Sequence, residues 1–126
     1  RDRLRSRGLG DVYKRQNRSI LKTAVDFIDS HYMEEDMSLN KAANAANVSA
    51  NHFSALFSQN MGQTFIEYLT NLRMNKAKEY LRCTSMRSSE IAGEIGYKDA
   101  HYFSYLFKKT QGMTPSDYRK AREDKA

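Results

Sequence analysis

Between residues 19 and 122 apolar positions recur at helical spacing in a series of blocks, each closed by a turn-forming residue. In the first block, residues 19–32, Ile20, Leu21, Ala24, Phe27 and Ile28 share one face. An acidic connector, MEEDM, follows. Residues 39–46 predict a short helix with Ala42, Ala43 and Ala46 inward, where small side chains allow the close approach that a tight turn demands. Asn47 tolerates the left-handed backbone of such a turn, and Ser49 is an N-cap candidate. The next helix turns Phe53, Leu56 and Phe57 inward and Asn51, Ser54, Ala55 and Ser58 outward, until Gly62 ends it. Residues 64–83 predict a long connector: Thr64 and Glu67 form a capping box, and Ile66, Leu69, Leu72, Ala77 and Leu81 make a stripe. The final blocks give Ile91, Ala92 and Ile95 one apolar face, then Gly96 for a turn and Asp99 for a cap. Behind that cap Phe103, Leu106 and Phe107 oppose His101, Ser104, Tyr105 and Lys108. Gly112 stops this helix, and Thr114-Pro115 with Asp117 opens another.

The pattern occurs twice. At an offset of 50, Ala50, Phe53, Ser54, Leu56, Phe57, Gly62, Thr64 and Tyr68 match Ala100, Phe103, Ser104, Leu106, Phe107, Gly112, Thr114 and Tyr118. Before the turn the better offset is 49, so the second turn is one residue longer, near Lys98. A helix, a tight turn and a second helix with a polar outer face is a helix-turn-helix, which lays that face in the DNA major groove. About 18 connector residues span roughly 27 Å. That length suits two recognition helices about one DNA turn apart, on the order of 34 Å.

Charge adds less than its total suggests. The net charge is +6, but residues 1–16 hold six basic and two acidic groups. Residues 17–62 hold three basic and five acidic groups, and residues 63–126 twelve and eight. Electrostatic attraction to DNA is therefore expected from the second half. The segment RDRLRSRGLGDVYKRQ, residues 1–16, lacks sustained periodicity and reads as a non-native or disordered tail, similar to a translated cloning scar; a native basic arm is the competing reading. The first methionine is Met33, so the chain reads as a piece of a longer protein. The lone Cys83 reads as an inert packing residue in a reducing compartment. No apolar run is long enough for a membrane span.

The stretches SANHFSALFSQNMGQTFIEYLTNLRMNKAKEYL and IAGEIGYKDAHYFSYLFKKTQGMTPSDYR resemble the C-terminal DNA-binding domain of the AraC/XylS family of bacterial transcription regulators. The second stretch is similar to the signature G-Y-x-D-x-x-Y-F-x-x-x-F-K-K-x-x-G-x-T-P-x-x-Y-R, and the likeness covers residues 19–122. It implies an all-α, seven-helix domain with two helix-turn-helix subdomains, at residues 19–62 and 88–122, joined by a connector helix at 64–83. It also implies double-stranded DNA as partner, RNA polymerase as a second partner, an activator's role, a monomeric fragment and a cytoplasmic location. The branch it looks most like carries an upstream receiver or sensor domain.

Carried over by position, the base-facing residues are Asn51, Ser54 and Ala55 in the first unit, and Ala100, His101, Ser104 and Tyr105 in the second. The family often has Arg at the sites of Ala55 and Tyr105, and Arg bidentate to guanine is the commonest specific contact. Base readout is expected to lean instead on Asn51 to adenine and on Tyr105 or Ala55 against thymine methyls. Phosphate candidates are Lys108, Lys109, Lys98, Arg73 and Lys76, with the N-terminal amides near Thr64 and Thr114.

Competing readings are bland or distant. Asp99, His101 and Ser104 could suggest a catalytic triad, but Asp99 is better explained as a cap. His31, His52 and His101 lack metal-ligand spacing, and His52, at the site matching Tyr102, reads as a core-edge residue. No cofactor or metal is expected. A helical protein-interaction module with degenerate DNA readout is the main alternative. An enzyme whose catalytic domain lies outside this segment is the other.

Overall fold

A computed structural model describes residues 2–125, with side chains described for residues 13–123. Among these residues it has seven helices and no strand: α1 (Asp2–His31), α2 (Leu39–Ala45), α3 (Ala50–Met61), α4 (Phe65–Cys83), α5 (Ser88–Glu94), α6 (Ala100–Gln111) and α7 (Pro115–Lys125). The chain divides into two compact units. One comprises the residues up to Ser30 with Ser38–Ile66; the other comprises His31–Met37 with the residues from Glu67 onward.

The two turns are built alike. In the first, the Val48 amide donates to the Ala43 carbonyl at 3.0 Å and the Asn47 amide to the Asn44 carbonyl at 3.1 Å. In the second, Tyr97 donates to Ala92 at 2.8 Å and Gly96 to Gly93 at 3.3 Å. Both sets are Schellman closures, which satisfy the last carbonyls of a helix and require a left-handed residue. Asn47 (φ 59°) and Gly96 (φ 104°) supply it. The following helices start on side-chain caps: Ser49 Oγ accepts from the His52 amide at 3.2 Å, and Asp99 Oδ1 from the His101 amide at 2.9 Å. The second turn is one residue longer, as its sequence implied.

Each unit has its own aromatic core. In the first, Phe53, Phe57 and Phe65 form a triangle with ring centroids 5.5–6.4 Å apart. In the second, Phe103 and Phe107 are fully buried among Met74, Ala77, Leu81, Ile91, Ala92 and Ile95.

Several expectations shift. Helix α1 reaches back to Asp2, so the segment read as a tail is helical from that residue onward, its first residue lying outside the described ones. Apart from Gly8 and Gly10, at about 1 kcal/mol each relative to Ala, nothing there opposes a helix. The connector's stripe also has a different phase: Ile66 is 63% exposed, and the buried row runs Phe65, Leu69, Arg73, Ala77, Leu81, with Met74 beside it. Phe65, packed edge-on to Phe53 and Phe57, sets that phase. Cys83 is an exposed free thiol, not a packing residue.

Candidate nucleic-acid interface

Helix α6 has two chemically opposite faces. Phe103 and Phe107 are fully buried. His101, Tyr105, Lys108 and Lys109, at positions that recur every three or four residues, are exposed. Tyr105 keeps 60% of its surface in solvent, and Lys109 Nζ lies 5.9 Å from its ring centroid. Such a contact is worth about 0.5–1 kcal/mol at an exposed site, enough to bias the two side chains toward one rim of the helix. Ala100 and Ser104 are half-buried on the flanks. Both lysines fall in the last helical turn, where cations complement the helix dipole.

Helix α3 repeats the geometry with weaker chemistry. Asn51 and Ala55 are exposed, Ser54 and Ser58 half-buried, and the opposite face buries Phe53, Leu56 and Phe57. None of the outward residues carries charge. His52 and Tyr102, the third residues of α3 and α6, are both exposed, so His52 is not a core-edge residue. Tyr102 is 51% exposed, with its ring 5.9 Å from that of Tyr97.

The phosphate candidates do not form one set. Lys98 is exposed in the second turn, and Thr64 is exposed at the start of α4. Thr114 Oγ1 accepts from the Asp117 amide at 3.1 Å, so it already caps α7. Lys76 Nζ lies 3.6 Å from the Glu79 carboxylate and lines a recess with Tyr32, Tyr80 and Cys83, which shares no lining residue with the one that Lys98 lines. Exposed pairs of this kind contribute little to stability.

Arg73 corrects the expectation outright. It is 6% exposed, its Nε donates to the Tyr32 carbonyl at 2.8 Å, and its Nη2 donates to the Glu34 carbonyl at 2.8 Å. Its guanidinium carbon lies 4.9 Å from the Tyr97 ring centroid. A group held in this way is not available to phosphate. Burial pushes the Tyr97 phenol above its ordinary pKa despite the neighbouring Arg73 cation. Arg119 is a second fastening that sequence reasoning missed. Its Nε donates to the Leu81 carbonyl at 3.1 Å, and its Nη2 to Thr84 and Met86 at 3.1 and 2.7 Å. The only sequence signal for either was an arginine inside or beside an apolar period.

With Asp99 capping α6, the triad reading loses its acid. Among the described residues no group of three His, Cys, Asp or Glu could hold a metal ion, and no helix is long and apolar enough to cross a membrane.

A sequence profile described as "Helix-turn-helix domain" matches residues 42–121. The lactose operon transcription activator of Staphylococcus xylosus is 36% identical over 99 residues, which is 79% of this chain and 35% of that protein. The first curated relatives are matched over 12–37% of their length. Among solved structures, the C-terminal domain of AraT, a response regulator from Geobacillus stearothermophilus, superposes with TM-score 0.80 at 40% identity, covering 82% of this chain and 85% of that one. The C-terminal domain of the two-component response regulator yesN from Fusobacterium nucleatum superposes with TM-score 0.76 at 33% identity, covering 78% and 95%.

Proposed function

The chain belongs to the AraC family of helix-turn-helix transcription regulators, and from that membership we propose that this segment is the sequence-specific duplex-DNA reader of a longer regulator. The family is one of DNA-binding regulator domains, not of enzymes. The observation that carries the reading is the outer face of α6, where His101 and Tyr105 stand exposed beside Lys108 and Lys109 while Phe103 and Phe107 anchor the other side. Tyr105 can place its ring against a thymine methyl, and His101 can bond a base edge. Ala100 and Ser104 complete that face. Lys108, Lys109 and Lys98 meet phosphates, with the amides beside Thr64 and Thr114 as weaker anion sites and Lys76 as a further candidate. Helix α3, with Asn51, Ser54 and Ala55, adds a smaller share.

The full protein is proposed to be a cytoplasmic activator that works with RNA polymerase, this segment being monomeric alone. Two neighbours that are parts of response regulators support a receiver domain elsewhere in the full protein. Residues 1–16 keep the reading of a non-native addition, although the backbone is helical from Asp2 onward. Selection from random duplexes, followed by titration at rising salt, tests the proposal. An enriched motif with affinity falling steeply with salt is expected. No enrichment, together with a stable protein complex, would replace it by the interaction module that the uncharged outer face of α3 favours.

A further inference from the structure

Arg73 is the one buried charged side chain among the described residues, and its burial is unexplained by packing alone. It sits in the apolar row of α4 between Leu69 and Ala77, where a methionine or leucine would fill the row without desolvating a guanidinium. What an apolar side chain cannot do there is donate. The carbonyls of Tyr32 and Glu34 lie just beyond the end of α1, in the connector at residues 31–37, and Arg73 takes both. The same Nε–Cζ–Nη2 portion lies against the second turn. A Cβ on Gly96 would come within 2.7 Å of Nη2 and 2.9 Å of Cζ, so the guanidinium touches the bare backbone of that turn. The Tyr97 ring packs over it as well. One planar group thus joins α4, the connector and the turn from which α6 starts, with Asp99 capping α6 three residues beyond Gly96.

Resting on the reading of α6 as a DNA reader, we infer that Arg73 is a positioning residue for base recognition by α6, acting through the turn at Gly96 and Tyr97 and not by touching DNA. The fork matters more than the charge. A lysine ammonium at this site could not hold both carbonyls in one plane and lie flat against Gly96.

The test compares the wild type with Arg73→Met, Arg73→Lys and Tyr97→Leu, the last removing the ring over the guanidinium while leaving the arginine and its two carbonyl bonds in place. Single-base variants of a selected duplex are first assigned to α6 or α3 by their loss of discrimination in His101→Ala and Asn51→Ala. Folded fraction is followed by circular dichroism. In Arg73→Met and Arg73→Lys, discrimination at the α6-assigned base pairs is expected to fall roughly tenfold. Discrimination at the α3-assigned pairs and the salt slope should hold, and Tyr97→Leu should show the same selectivity with a smaller loss. Affinity falling equally at all positions, in step with the unfolded fraction, would reduce Arg73 to a stability residue. A salt slope lower by about one with discrimination intact would make it a phosphate contact. Full function in Arg73→Lys would leave only its charge. Each of these overturns the inference. A wild type that shows no sequence discrimination would instead overturn the reading of α6 itself.

Discussion

The two helix-turn-helix units solve one folding problem with the same parts and then present different chemistry. α2–α3 and α5–α6 share the Schellman closure, the left-handed residue, the side-chain cap and a pair of buried phenylalanines. Their outer faces differ: amide, hydroxyl and methyl on α3, imidazole, phenol and ammonium on α6. The second unit is also tied down by two arginines, Arg73 and Arg119, that bond backbone carbonyls. Positions that make the fold leave little freedom to vary, whereas exposed positions leave much. The difference between the units therefore reports what each face does, and the sameness reports only how each folds.

The largest expected effects test the sameness. Phe53→Ala and Phe103→Ala both truncate a fully buried ring. Each should lower the unfolding free energy by about 3–5 kcal/mol in urea melts. A loss below about 1 kcal/mol at either site would mean that the two cores are not equivalent.

The turns come next, and here the units should part. Gly96→Ala forces an L-residue into φ 104° and drives its Cβ into the Arg73 guanidinium. Left-handed strain of about 1–2 kcal/mol and overpacking of about 1–3 kcal/mol suggest a total near 3 kcal/mol. Asn47→Ala meets only the first of these and should lose about 1 kcal/mol. Equal losses would show that Arg73 yields freely to a methyl group, and that its contact with Gly96 is loose.

Those turns are legible in the sequence because the devices are local. Asn47, Gly96, Ser49 and Asp99 each act on backbone groups within a few residues, so their types and spacing suffice. Arg73 was not legible: its acceptors lie 41 and 39 residues away, and in sequence a charge on a helix reads as solvent-facing. Its presence in the apolar row also hides the phase of α4, so the sequence pattern alone turns Ile66 inward whereas the structure exposes it. Arg119 is the same case, with carbonyl partners 33–38 residues back. The outer faces were readable as faces, because burial of Phe53, Phe57, Phe103 and Phe107 fixes which way the other side chains turn. The exposure of Cys83 is not legible in the sequence, because the last turn of α4 leaves it uncovered and coverage depends on distant chain.

Base readout should show the functional difference on a smaller scale. His101→Ala or Tyr105→Ala is expected to weaken binding to a selected duplex by about 1–3 kcal/mol and to relax preference at one or two base pairs. Asn51→Ala should lose less than about 1 kcal/mol, since a single uncharged contact beside Ala55 has few partners to support it. Fluorescence anisotropy on matched and mismatched duplexes measures both. A larger loss at Asn51 than at Tyr105 would reverse the ranking of the units.

The smallest effect is the most diagnostic, because it can be given opposite signs in the two units. Lys109 lies on the exposed rim of α6, and its counterpart at offset 50 is the exposed Gln59 on α3. If Lys109 meets a phosphate, Lys109→Ala removes one released counterion, so the slope of log affinity against log salt should fall by about one. Over a fourfold rise in salt the variant should then lose about threefold less affinity than the wild type. If α3 also approaches the backbone, Gln59→Lys installs the charge that the first unit lacks, and the slope should steepen by a similar amount. Should Gln59→Lys leave the slope unchanged while Lys109→Ala lowers it, only the second unit reaches the phosphates under these conditions. The repeat would then be one of architecture and not of DNA contact. Should both change as expected, the difference between the faces is a matter of side chains alone, and one substitution moves the weaker unit toward the stronger.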